Sequence, residues 1–121
     1  MAKTILVIED DPEIIRLLEA RLVESGFNVL KAMNGVDALT IFNENKPDLA
    51  IIDLILPNKS GFEVIEEIRI KIKSEMPIIV LSNLDQPQDR ETAARLGVNE
   101  YIVKSNISLR DLVISINNLL K

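Results

Sequence analysis

The stretch Pro47-Asp48-Leu49-Ala50-Ile51-Ile52-Asp53-Leu54-Ile55-Leu56-Pro57 constrains this chain more than any other. Leu49 to Ile52 are consecutive apolar residues, rich in isoleucine and bounded by prolines. A run that short and that uniformly apolar reads as a strand covered on both faces. Asp53 then places a carboxylate between apolar neighbours. Burying a carboxylate is expensive, so such a strand is expected to deliver it to a cleft at the sheet's edge. What meets Asp53 there becomes the question for the rest of the chain.

The other strands are found the same way. Thr4–Ile8 is β-branched and apolar, and it ends in Glu9-Asp10-Asp11 before Pro12. Asp11 followed by Pro12 has the form of an N-cap with proline at the first helical position. The helix it opens is expected to run to about Ser25, with Ile14, Ile15, Leu18 and Leu22 inward and Gly26 closing it. Asn28–Ala32 is a mixed strand and is expected at an edge. A helix over about Val36–Glu44 follows, with Ala38, Leu39 and Phe42 inward. After the central strand, Ser60 and Glu63 have capping-box spacing and start a helix carrying Ile65, Ile68 and Ile72 on one side. Pro77–Leu81 is a buried strand ending at Ser82. A short helix with a weak apolar face, Pro87–Leu96, stops at Gly97; a last strand, Glu100–Val103, ends at Lys104. Ser108 caps a final helix bearing Leu109, Leu112, Val113, Ile116 and Leu120. Five strands alternating with five helices predict an α/β fold, a doubly wound parallel sheet with right-handed crossovers.

Composition excludes several chemistries. The 121 residues contain no cysteine and no histidine, which removes disulfides, the usual zinc sites and Ser-His-Asp catalysis. A formal charge of −5 lacks the electrostatic footprint of a nucleic-acid binder. No stretch is long enough for a membrane span or a signal-peptide core, so a cytoplasmic domain is expected. No Gly-rich phosphate loop follows any strand, which argues against a flavin or nucleotide binder.

The predicted strand ends carry chemistry: Glu9-Asp10, Asp53, Ser82 and Lys104. In doubly wound sheets, ligands sit outside the carboxyl ends of the strands where strand order reverses. If the first and third strands are neighbours, Glu9, Asp10 and Asp53 share one cleft. Two carboxylates ~4 Å apart repel by about 4 kcal/mol at an effective dielectric of 20. Three stay ionised only if positive charge joins them. Lys104 supplies one unit, and an all-oxygen donor set without His or Cys favours Mg²⁺ for the rest.

Ile8-Glu9-Asp10-Asp11-Pro12, Ile52-Asp53-Leu54-Ile55-Leu56-Pro57 with Gly61 after it, Val80-Leu81-Ser82 and Tyr101-Ile102-Val103-Lys104 together resemble the receiver domain of bacterial two-component response regulators. The similarity covers essentially the whole chain in order. It implies a flavodoxin-like sheet of order 2-1-3-4-5 and one receiver domain over residues 1–121, with no output domain in this chain. It implies Asp53 as phosphoacceptor, charged by a sensor histidine kinase, a phosphotransfer protein or a small acyl phosphate. Asp10, Asp53 and the backbone carbonyl of Ile55 would bind Mg²⁺, with Glu9 helping through water. Ser82 and Lys104 would each engage a phosphoryl oxygen, and Tyr101 would turn inward as Ser82 moves. Partners would be the kinase and a downstream protein or output domain, without direct contact to nucleic acid or membrane; a phosphorylation-dependent homodimer is left open. Such a domain promotes only its own phosphorylation and dephosphorylation and is not otherwise an enzyme.

Read singly, each residue has a plainer explanation. Glu9, Asp10 and Asp11 could form a solvated loop with one cap, Ser82 a turn, Tyr101 a half-buried core aromatic and Lys104 a surface charge. Asp48 and Asp85 read as helix or turn residues and no more. The joint order of residue types at successive strand ends favours the receiver reading. Two positions depart from the family's pattern. Ser105 follows Lys104 where a proline after a cis bond is common, leaving that bond's isomer open. Asn83 follows Ser82 where a smaller residue is usual, narrowing access. These departures keep alive an alternative, a pseudo-receiver acting as a phosphorylation-independent binding module. A hydrolase of the haloacid dehalogenase type would want a second Asp two positions after the nucleophile, where Ile55 stands. Ile55 and Leu84 line the approach of hydrolytic water in this family, and both are apolar here, so slow loss of phosphate is expected.

Overall fold

Parallel pairing explains why the three central strands of the sheet are apolar without alternation. The computed structural model describes residues 2–121 and contains one five-stranded sheet of order β2-β1-β3-β4-β5. Its strands are β1 Thr4–Ile8, β2 Asn28–Ala32, β3 Leu49–Ile52, β4 Ile78–Ser82 and β5 Glu100–Val103. All four pairings are parallel, so the sheet must be covered on both faces by crossover helices. The helices are α1 Pro12–Glu24, α2 Gly35–Asn45, α3 Gly61–Glu66, α4 Pro87–Arg95 and α5 Leu109–Leu119.

Successive strand residues point to opposite faces and fill two cores. On one face Leu6, Ile8, Ala50, Ile52, Ile78 and Val80 pack with Phe42 of α2 and with Val64 and Ile65 of α3. On the other, Ile5, Val7, Leu49, Ile51, Ile79 and Leu81 pack with Leu18 and Leu22 of α1 and with Leu112 and Ile116 of α5. Full burial of one such side chain is worth about 1.5–3 kcal/mol. The expected edge position of β2 and the expected strand order are both present.

The caps follow the sequence closely. Asp11 accepts a hydrogen bond from Glu13 N at 2.9 Å, and Ser60 and Glu63 form the reciprocal capping box. Ser108 accepts from Asp111 N at 3.2 Å.

Ile72 departs from expectation. The spacing predicts Ile72 on one side with Ile65 and Ile68, yet it is 39% exposed while those two are fully buried. After Glu66 the helix widens into a π-helical turn over Glu67–Lys71, and Ile72 N donates to Glu67 O across five residues at 2.9 Å. The wider turn advances the chain through a smaller angle per residue, so the helical spacing that aligned Ile65 and Ile68 no longer reaches Ile72. Asp48 is more than a turn residue, since its carboxylate accepts from Thr4 N at 2.8 Å and ties the start of β3 to β1.

Candidate functional site

The register of β1 on β3 matches Ile8 with Ile52, so the residues that follow, Glu9 and Asp53, emerge side by side. Asp53 N still donates to Ile8 O at 3.0 Å, extending the ladder by one bond. β4 lies against the other side of β3 and β5 against β4, which brings Ser82 and Lys104 to the same end of the sheet. Two glycines let the loop after β3 close over this end. A Cβ on Gly61 would overlap the backbone of Asp53 and Leu54, and one on Gly35 would overlap the carbonyl of Lys59. Gly61 N instead donates to Leu54 O at 2.9 Å and Gly35 N to Pro57 O at 3.4 Å.

Asp53 is buried, and both of its carboxylate oxygens are engaged. Oδ1 accepts from Ser82 Oγ at 2.8 Å and from Ile55 N at 3.2 Å. Oδ2 accepts from Lys104 Nζ at 2.6 Å. The same ammonium lies 2.7 Å from Glu9 Oε1. Glu9 Oε2 accepts from the backbone N–H groups of Asp10 and Asp11, at 3.0 and 3.1 Å. Glu9, only 2% exposed, is thus held by one cation and two amides, while Asp10 stands exposed at the mouth.

Burial raises the Glu9 carboxyl above its ordinary value, against the opposing pull of Lys104 and the Asp11 amide. Burial pulls Lys104 downward, but its hydrogen bonds to Asp53 and Glu9 more than offset this and leave it raised. Lys104 therefore carries its charge throughout the neutral range. One carboxylate oxygen from each of Glu9, Asp10 and Asp53 lies within 4.8 Å of the others. Against three carboxylates, one lysine leaves an excess of negative charge. A hard divalent cation fits that donor set, and the saturated Glu9 fits an outer role better than a direct one.

Every residue expected from the sequence to form the site reaches this end of the sheet, Tyr101 at its margin. Tyr101 is half-buried, and its hydroxyl donates to the Leu84 carbonyl in the β4–α4 loop. Burial, followed by the nearby Asp89 carboxylate, raises its ionisation above the usual phenol value. No cis peptide bond occurs among the described residues, so Lys104-Ser105 is trans, and Lys104 reaches both carboxylates from that geometry. Asn83 is exposed beside Ser82. Sequence reasoning missed Arg90, whose guanidinium carbon lies 4.8 Å from the centre of the Tyr101 ring and which also pairs with Asp85. It missed Arg69 too, whose guanidinium donates to the carbonyls of Ser74 and Gly97 at the opposite pole of the sheet. Both arginines reach partners brought near by the fold, Arg90 the ring of Tyr101 and Arg69 the Gly97 carbonyl, and nothing in the residues beside either one signals those contacts.

A family model described as the response regulator receiver domain matches residues 5–117. The probable transcriptional regulator ycf27 of Cyanophora paradoxa is 40% identical over 119 residues, 98% of this chain and 48% of that protein. The protein of the same name from Porphyridium aerugineum is 43% identical over 100 residues, 83% of this chain and 41% of that one. The chain thus spans about half the length of these curated relatives or less. Among solved structures, a CheY-like response regulator receiver domain protein from Methanospirillum hungatei JF-1 superposes with a TM-score of 0.93. It is 26% identical, with 99% of this chain and 94% of that chain covered.

Proposed function

This chain belongs to the response regulator receiver domain family of two-component systems, and from that premise we propose that Asp53 is its phosphoacceptor. The observation that carries the reading is the buried Asp53 carboxylate, held by Ser82 and Lys104 beside Glu9 and Asp10. An apolar strand end has no structural use for that arrangement. The acid is costly to bury, and its surroundings supply both a cation and an excess of negative charge.

Phosphoryl transfer needs little covalent chemistry from a protein beyond positioning and charge neutralisation. An Asp53 oxygen attacks phosphorus, the bond to the donor's leaving atom breaks, and the leaving group departs with the electron pair. Lys104 keeps positive charge beside the acceptor throughout. The Ser82 hydroxyl, now on Asp53 Oδ1, transfers its hydrogen bond to a phosphoryl oxygen. Mg²⁺ held by Asp10, Asp53 and the backbone carbonyl of Ile55, with Glu9 acting through water, would neutralise charge on the phosphoryl oxygens. The new group adds roughly −1.5 to −2 of charge. Ser82 and Lys104 draw toward it, and the change passes to the face formed by α4, β5 and α5.

Receiver domains as a family are signalling modules rather than enzymes. In this reading residues 1–121 form one receiver domain in the cytoplasm, served by a sensor histidine kinase or a phosphotransfer protein. The output is a downstream protein or an output domain, and the charge of −5 argues against direct contact with nucleic acid. No helix among the described residues is long and apolar enough to cross a membrane.

Mass spectrometry after incubation with acetyl phosphate and Mg²⁺ tests the assignment. One phosphoryl adduct is expected in the wild type and none in Asp53→Asn; an adduct surviving in Asp53→Asn refutes it. Ile55, 58% exposed beside Asp53, and Leu84 offer no polar group to orient an attacking water. The purified phosphoprotein is accordingly expected to persist for minutes or longer, and a lifetime of seconds contradicts this.

A further inference from the structure

Tyr101 is held from outside as well as from within. Its hydroxyl donates to the Leu84 carbonyl. Leu84 N in turn donates to Ser82 Oγ at 3.4 Å, and Ser82 Oγ donates to Asp53 Oδ1 at 2.8 Å. A connected set of polar contacts therefore runs from the proposed phosphoacceptor through the β4–α4 loop to the ring of Tyr101. Over that ring lies the Arg90 guanidinium, its carbon 4.8 Å from the ring centre. Arg90 is fixed in turn by Asp85, with Nη2 at 2.6 Å and Nε at 2.8 Å from the same carboxylate oxygen.

We propose that Arg90 is a positioning residue, a clasp anchored by Asp85 that holds Tyr101 on the Leu84 carbonyl. The proposal rests on the reading of Ser82 and Tyr101 as the switch, and it adds what holds Tyr101 in place. A guanidinium over a phenol ring gains from the negative face of the ring, and its planar fork makes the Asp85 pair directional. The pair is about half exposed at both ends, so dissolved salt reaches it. The innermost contacts of the path are buried and insensitive to salt. Its outer end is not, which leaves the position of Tyr101 adjustable by whatever engages Arg90 on α4.

The chain contains one tyrosine and no tryptophan, so its intrinsic fluorescence reports on Tyr101 alone. The experiment is acrylamide quenching of that fluorescence in wild type, Arg90→Ala, Arg90→Lys and Asp85→Asn, with circular dichroism to verify folding. Arg90→Ala is expected to raise the quenching constant about two- to fivefold, the population change that a cation–π contact at an exposed site supports. Arg90→Lys, which keeps the charge and loses the planar stack, should rise less than Arg90→Ala. High salt should raise quenching in the wild type and leave Arg90→Ala unchanged. Quenching equal in wild type and Arg90→Ala overturns the clasp, whatever the response to phosphate analogues. Raised quenching in Arg90→Ala, beside a Tyr101 signal blind to beryllofluoride and Mg²⁺ in every variant, supports the clasp and overturns the switch reading instead.

Discussion

α4 and α5 flank the same strand, β5, and are attached to the sheet by different physics. α5 buries Leu112 and Ile116 in the core it shares with α1, with Val113, Leu109 and Leu120 partly buried around them. α4 buries only Ala93. Leu96 and Val98, which follow α4, pack partly against the opposite core. The remaining restraints on α4 are polar: Gln86 N donates to Asp89 Oδ2 at 3.3 Å, Asp85 pairs with Arg90, and Arg90 stacks on Tyr101. Apolar burial of α5 is worth several kcal/mol and does not respond to a charge. Exposed polar contacts are each worth about 1 kcal/mol or less and do respond to one. The element beside the proposed phosphorylation site is therefore the one that can move at small cost, while its neighbour holds the sheet in place.

Three measurements bear on that contrast. The largest effect is expected from Lys104→Ala, which removes the cation bridging Glu9 and Asp53. Asp53 should still accept the phosphoryl group, but the chemical-shift changes that beryllofluoride causes over α4 and β5 should disappear. A wild-type pattern of shifts in Lys104→Ala breaks the link between the site and α4. Next in size, Leu112→Ala should destabilise the domain by about 2–5 kcal/mol in urea unfolding. Ala93→Gly on α4 should cost about 1 kcal/mol, mostly through backbone entropy. Equal losses from the two would mean that α4 is anchored as firmly as α5. Smallest, the amides of α4 should exchange with solvent at least about tenfold faster than those of α5, a gap of ~1.4 kcal/mol in local opening. Matching protection in both helices would remove the distinction.

The fold was legible because two periodicities agree along most of the chain. Unbroken apolar strands fit a sheet buried on both faces, and caps at Asp11, Ser60 and Ser108 mark where helices begin. The departure at Ile72 was not legible because a π-helical turn leaves no mark in apolar spacing. At the site, Asp53 announced itself as a charge in an apolar strand. Lys104 did not, since a lysine at a strand end is ordinary and its two carboxylate partners lie 51 and 95 positions earlier. Only its place in the ordered set of strand-end residues singled it out.

The sequence by itself determined which side chains leave the sheet at its carboxyl end, because strand period and helix caps are local and repeat every few residues. Only the tertiary structure decided that one lysine bridges Glu9 and Asp53, that Tyr101 rests on the Leu84 carbonyl, and that Arg90 covers the ring. Those contacts join loops distant in the chain, and their geometry depends on register and packing that no local pattern carries.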